Sequence, residues 1–118
     1  MVAHIDHAHF CFDVLHSRLH STTPHLPRFE NHQYPLFVTY SSGPEKELRG
    51  CIGNFEPLFL HEGLKEYALV AALRDRRFQP VRVEELGGLS CGVSLLVEFE
   101  RNLKYLDWTV SGLDCYLR

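Results

Sequence analysis

The feature that most constrains the fold is a strict alternation of side-chain types over positions 89–99. Its odd-numbered positions are all apolar, namely Leu89, Cys91, Val93, Leu95, Val97 and Phe99. Because successive side chains of a β-strand point to opposite faces, this pattern predicts one long strand with a single buried face. Such a strand must be covered on that face, so the pattern favours a domain built from packed layers.

The remainder of the chain supplies elements of both types. Apolar residues at spacings of three and four predict one helix from Ile5 to Leu19 and a second from about Leu58 to Arg76. Between them, Leu36–Tyr40 and Leu48–Ile52 indicate a β-hairpin that turns at Ser42–Glu45.

A second hairpin is expected at the end of the chain. There, Trp108–Val110 and Leu113–Leu117 flank Ser111 and Gly112, which are typical turn residues.

Composition argues against several classes of function. The chain has 118 residues and a formal net charge of −3 at pH 7, whereas non-specific nucleic-acid binders have a basic face. No apolar run approaches the roughly 18 residues of a membrane helix. The four cysteines form no CxxC pair, and no secretory leader precedes them. We therefore expect free thiols, a location in the cytoplasm or nucleus, and neither nucleic acid nor membrane as a partner.

The glycine-rich segment Leu48-Arg49-Gly50-Cys51-Ile52-Gly53 is the strongest candidate for a functional site. Its glycines predict either a backbone that a Cβ disfavours or the close approach of another segment. Arg49 can hold an anion with two hydrogen bonds, and a neighbouring cation would favour the thiolate of Cys51. The plainer interpretation is that Cys51 is a small, mostly buried side chain and that the glycines serve backbone geometry.

Polar residues on the first helix form a second candidate group. Their spacings of four, three and four place on one line the residues His9, Asp13, His16 and His20. That line could surround a metal ion, but a polar rim beside the apolar stripe is the commoner arrangement. No metal site is therefore expected, and the cofactor is unknown because no nucleotide-binding or hydrolase motif is found.

The glycine-rich segment resembles the signature hexapeptide of the AMME syndrome candidate protein family, the AMMECR domain. Further segments resemble the family in the same order, namely Phe10–Leu15, Tyr34–Thr39, Asp75–Pro80, Val93–Leu96 and Tyr105–Trp108. The resemblance implies an α+β fold, with a curled, barrel-like, mostly antiparallel sheet and packed helices. It also implies a single domain over residues 1–118 that lacks its C-terminal part, since the family's domain continues beyond the position of Arg118.

The resemblance supplies no established reaction, so two functions stay open. One is an intracellular module that binds an unidentified protein or a small anionic ligand through Arg49, Gly50, Cys51, Ile52 and Gly53, with Arg77 as a further anion contact. The other is a small enzyme in which Cys51 is the nucleophile and Arg49 holds an anion. Solvent access to Cys51, and a base or cation within hydrogen-bond reach of it, would distinguish the two.

Overall fold

The computed structural model describes residues 5–99 and 101–111. Its elements follow in the order α1 (Ile5–His20), β1 (Gln33–Ser42), β2 (Glu47–Phe59), α2 (Leu60–Leu73), a short 3-10 helix (Val83–Gly88), β3 (Leu89–Phe99) and β4 (Asn102–Ser111). The strands form one antiparallel sheet in the order β2-β1-β3-β4. The α+β class is therefore confirmed. Among the described strands the sheet is open rather than closed into a barrel, so β2 and β4 are its edges.

The two faces of the sheet differ, and the alternation in β3 decides which side chains each face receives. The odd-numbered side chains of β3 are buried from Leu89 to Val97, as predicted. Val93 pairs with Val38 of β1, so the even-numbered side chains of β1 join this inner face. The opposite side, called the outer face below, carries Phe37, Thr39, Cys51, Gly53, Gly92, Ser94, Leu96, Tyr105, Asp107 and Thr109.

Both helices pack on the inner face. The first lies over β3 and β4, the second over β1 and β2, and the helices also contact each other. Tyr40 is fully buried between these layers, and its hydroxyl donates a hydrogen bond to the backbone oxygen of Ala68 in α2 at 2.9 Å. Burial, together with the nearby thiols of Cys91 and Cys11, raises the pKa of Tyr40. Its hydroxyl is therefore a permanent donor that fixes α2 against the sheet.

The ends of the helices determine where the loops run. At the end of α1, Ser21 adopts a φ of 56°, and the N–H of Thr22 donates to the oxygen of Ser17 at 2.8 Å, which is the pattern of a Schellman cap.

The second helix ends at Leu73 rather than Arg76. The chain then doubles back, because the N–H of Val81 donates to the oxygen of Ala72 at 2.9 Å. The segment Asp75–Pro80 forms this corner beside β2.

The last described strand, β4, is longer than the sequence predicts. Trp108–Val110 is in a strand as expected, but that strand begins at Asn102 and pairs with β3. A hairpin that the sequence did not predict joins β3 to β4. It turns near Arg101, whose φ of 69° is uncommon for a residue other than glycine, and no glycine or proline indicates a turn there. Leu113–Leu117 and the side chain of Phe99 lie outside the described residues. Within the described part, no helix is long and apolar enough to span a membrane.

Candidate functional site

The signature segment lies in the middle of β2, where its glycines have a packing role. A Cβ on Gly50 would come within 1.9 Å of the backbone oxygen of Ala71 in α2. A Cβ on Gly53 would come within 2.1 Å of the backbone oxygen of Leu36 and 2.4 Å of the Phe37 ring. The predicted close approach at these glycines is therefore confirmed. At Gly50 it seats α2 directly on the backbone of β2, and at Gly53 it brings β1 against β2.

The carboxylate of Asp75 connects the corner to the signature. Its Oδ2 accepts a hydrogen bond from the backbone N–H of Cys51 at 3.0 Å and another from Nη2 of Arg77 at 2.7 Å. Its Oδ1 accepts hydrogen bonds from the backbone N–H and the Nε of Arg77 at 3.1 and 3.0 Å. Arg77 Nη2 also donates to the backbone oxygen of Cys51 at 3.3 Å. Both backbone polar groups of Cys51 are thus engaged by one ion pair.

This ion pair is charged throughout the neutral range. The hydrogen bond from Arg77 is the main cause that holds the pKa of Asp75 well below its usual range; the backbone N–H groups of Cys51 and Arg77 contribute, while burial opposes. The same hydrogen bond raises the pKa of Arg77. The Asp75 side chain is only 5% exposed, whereas that of Arg77 is 59% exposed. The guanidinium is therefore anchored on one side and open to solvent on the other.

Arg49 makes a separate, less exposed ion pair. Its Nη2 lies 2.9 and 3.1 Å from the two carboxylate oxygens of Glu85, and its Nη1 donates to the backbone oxygen of Gln79 at 3.2 Å. Burial of Glu85 opposes its ionisation, but the hydrogen bonds from Arg49 and from the N–H of Arg82 outweigh it and lower the pKa of Glu85. A bound anion would have to compete with Glu85, and the role of Arg49 as an anion holder stays a prediction.

The thiol of Cys51 points to the outer face and is partly buried. Its Sγ shares a hydrogen bond of 3.1 Å with Oγ1 of Thr39, the residue opposite it in β1. In the described part of the chain no imidazole or carboxylate side chain is hydrogen-bonded to this sulfur. Ile52, the next residue, instead points inward and packs against the core.

An aromatic cluster lies beside the signature on the same face. The Phe37 ring covers Gly53, and its centroid lies 5.0 Å from that of Phe55 and 6.3 Å from that of Tyr105. Sequence reasoning did not identify this cluster, although the alternation in β1 already assigns Phe37 to the side opposite the core. Asp75 and Thr39 lie in segments that resemble the family, but sequence reasoning gave neither a role in the site, because their contacts with Cys51 join residues far apart in the chain.

The polar line on α1 is arranged differently from a metal site. Asp13 accepts hydrogen bonds from the N–H and Nδ1 of His25 at 2.7 and 3.2 Å, and the rings of His16 and His20 are 4.3 Å apart. Burial, followed by the nearby His20, lowers the pKa of His16 against the opposing effect of Asp13. Within the described ranges no three His, Cys, Asp or Glu side chains are grouped to hold a metal ion.

Comparisons with known proteins agree with these motifs. The model of the AMMECR1 family matches residues 8–114. An uncharacterized protein of Arabidopsis thaliana is 47% identical over 104 residues, which are 86% of this chain and 49% of the relative. One from Schizosaccharomyces pombe is 36% identical over 110 residues, or 89% of this chain and 57% of the relative. The chain thus spans about half the length of these curated relatives.

A solved structure shares the fold. The crystal structure of an uncharacterized protein from Pyrococcus horikoshii superposes with a TM-score of 0.69 and 27% identity, covering 79% of this chain and 50% of the other.

Proposed function

This chain belongs to the AMMECR1 family, and we propose that it is a binding module that recognises an anionic group at the outer end of Arg77. The single observation that carries this proposal is the anchored, half-exposed guanidinium beside the signature strand. Two of its nitrogens are engaged by Asp75 and Cys51. The third, Nη1, makes no hydrogen bond within the described part of the protein. A guanidinium with a free edge binds carboxylate or phosphate oxygens.

The electrostatics limit the strength of this contact. Asp75 balances much of the charge of Arg77, so an isolated anion is expected to bind only in the millimolar range, about −4 kcal/mol. Tighter binding must come from neighbouring contacts, such as the Thr39 hydroxyl and the outer face around Gly53. In this proposal Gly50 and Ile52 shape the strand, and Arg49 positions the corner unless a ligand displaces Glu85.

The source of the anion follows from composition and thiol chemistry. A protein or a small anionic ligand is the proposed partner, because a net charge of −3 disfavours nucleic acid. We propose a cytoplasmic or nuclear location. The free thiols of Cys11, Cys51 and Cys91 support it, since reducing compartments maintain that state.

An NMR titration tests the proposed site. Acetate and inorganic phosphate serve as probes at constant ionic strength, and the backbone amides of Cys51 and Gly53 are followed in ¹H–¹⁵N spectra. We expect saturable shifts that disappear in Arg77→Met and weaken in Arg77→Lys, which keeps the charge but not the forked geometry. Arg76→Met, which alters the neighbouring exposed arginine, should respond as the original chain does. Equal shifts in the Arg77 and Arg76 variants would refute the proposal.

The enzyme remains the second candidate, with Cys51 as nucleophile and Arg49 as the anion-holding group. Its supporting observation is that the Cys51 thiol points to the outer face, while the backbone oxygen of the same residue accepts a hydrogen bond from the Arg77 guanidinium. It ranks second because the thiol contacts the hydroxyl of Thr39 rather than a base, and because Arg49 already forms an ion pair with Glu85. Thiol labelling, described in the Discussion, separates the two candidates.

A further inference from the structure

We propose that the anion recognised by Arg77 is an acidic side chain of a protein partner, carried on an extended segment whose apolar side chain docks on the aromatic cluster. That cluster consists of Phe37, Phe55 and Tyr105. The inference rests on the proposed function, because Arg77 supplies its polar contact, and it goes further by naming the class of ligand.

The aromatic cluster is exposed without serving the core. Phe55 is 69% exposed and Tyr105 48% exposed, yet both rings lie within contact range of Phe37. Leu103, on the same side of β4, is 70% exposed. Contiguous exposed apolar side chains mark interaction surfaces, and aromatic residues with arginine supply much of the energy at protein interfaces.

The spacing between the two contacts fits an extended polypeptide. Phe37 lies opposite Gly53, and Thr39 lies opposite Cys51. Arg77 contacts the backbone oxygen of Cys51, so the cluster begins two residues further along β2 from this contact. Two residues of strand span roughly 7 Å and four span roughly 13 Å. An extended segment presents side chains on one side at the same intervals, so the acidic and apolar residues should be two or four positions apart.

The floor beside Cys51, next to the aromatic cluster, suits a backbone rather than a small molecule. Thr39 pairs with Gly92, and Gly92 pairs with Thr109, so short side chains cross the sheet beside Cys51. Small-molecule sites are usually concave pockets, whereas this floor is an open sheet surface. Asp107 lies on the cluster side of the floor, next to Ser94. Its charge disfavours an acid there and directs the partner's acidic residue to Arg77.

Selection from a random library tests the inference directly. The probe is a phage-displayed library of nine-residue peptides, selected on the immobilised chain. We expect enriched sequences to carry Asp or Glu two or four positions from a large apolar residue. A synthetic peptide of the most enriched sequence is then measured by fluorescence anisotropy. Phe55→Ser and Tyr105→Ser should each weaken binding about tenfold, or 1.4 kcal/mol. Leu26→Ser changes an apolar side chain that is 86% exposed outside the outer face and should leave binding unchanged.

The possible outcomes separate this inference from the proposed function. Failure to enrich any peptide, enrichment without acidic residues, or binding that survives Phe55→Ser would overturn the inference. So would a dimer in analytical ultracentrifugation that Tyr105→Ser abolishes, because the occupant of the face would then be a second copy. An acetate response that depends on Arg77, combined with any of these results, leaves the proposed function intact. Loss of that response in the unaltered chain ends both.

Discussion

The Asp75 carboxylate accepts a hydrogen bond of 3.0 Å from the backbone N–H of Cys51, 24 residues away in the chain. Because β2 is an edge of the sheet among the described strands, this N–H has no described neighbouring strand to bond on that side. Arg77, bound to the same carboxylate, donates to the backbone oxygen of Cys51. The corner after α2 therefore supplies, at Cys51, the two backbone hydrogen bonds that a neighbouring strand would make. The same contacts fix the guanidinium in place before any ligand binds.

Replacing Asp75 by Asn should destabilise the domain. The variant loses the charge-assisted hydrogen bonds from Arg77 and weakens the one from Cys51, which suggests a cost of about 1.5–3 kcal/mol in the free energy of unfolding at pH 7. Urea denaturation measures this difference. Asp107→Asn, a change of the same kind at an exposed position, should cost less than about 0.5 kcal/mol, and equal costs for the two variants would refute the role given to Asp75.

The loss of stability in Asp75→Asn should depend on pH. The pKa of Asp75 is lower in the folded protein than its unfolded value of about 3.9. Its contribution to stability is therefore complete above the unfolded pKa and declines as the pH falls below about 4. The difference between the original chain and Asp75→Asn should shrink between neutral pH and pH 3. A constant difference over this range would mean that ionisation of Asp75 does not stabilise the fold.

Gly50→Ala should be strongly destabilising, because its Cβ would lie 1.9 Å from a backbone oxygen that a rotamer change cannot move. Overpacking of this kind typically costs 1–3 kcal/mol, so we expect a loss of about 3 kcal/mol or separation of α2 from β2. Gly87→Ala is the matched control, since nothing lies within 4 Å of a Cβ there. Thermal melts of both variants measure the effect, and similar midpoints would contradict the packing argument.

Local patterns in the sequence predict most of the fold. Alternation places the side chains of β3 from Leu89 to Val97 correctly, and the helical spacing predicts α1 to within one residue. The turn near Arg101 escapes prediction because the chain there uses a positive φ without glycine or proline. The end of α2 at Leu73 also escapes, since Arg74 is an ordinary helix former and tertiary contacts of the corner decide the boundary.

The candidate site was only partly predictable. Gly50 and Gly53 signal a close approach by composition alone, and the structure confirms it. The partner of Arg49 is not visible in the sequence, because Arg49 meets Glu85 across 36 residues. Arg77 pairs with Asp75 only two residues away, but the contact of this pair with Cys51 depends on the fold. The outward direction of Cys51 likewise depends on the register of β1 and β2, which no local pattern fixes.

Native alkylation should modify Cys51 before the other described cysteines. Its thiol is partly buried, whereas Cys11 and Cys91 are fully buried, and burial raises the pKa of Cys11 well above its ordinary value. Iodoacetamide labelling of a Cys115→Ser variant, followed by peptide mass spectrometry, gives the rate at each position. We expect Cys51 to react more slowly than in the urea-unfolded chain. A rate near or above that of the unfolded chain would favour the nucleophile over the binding module.

The exposed outer face should make the chain prone to bind apolar dyes. The large apolar side chains of Phe55 and Leu103 are exposed to solvent, and neither contributes to the inner core. Replacing both by Lys should therefore lower the fluorescence of bound anilinonaphthalene sulfonate and raise solubility, while each change alters the free energy of unfolding by less than about 0.5 kcal/mol. Leu26→Lys is the control, because an apolar side chain away from this face should contribute little to dye binding. If the original chain binds no dye, or if the double variant binds as much as the original, the outer face is not the surface that binds apolar dyes.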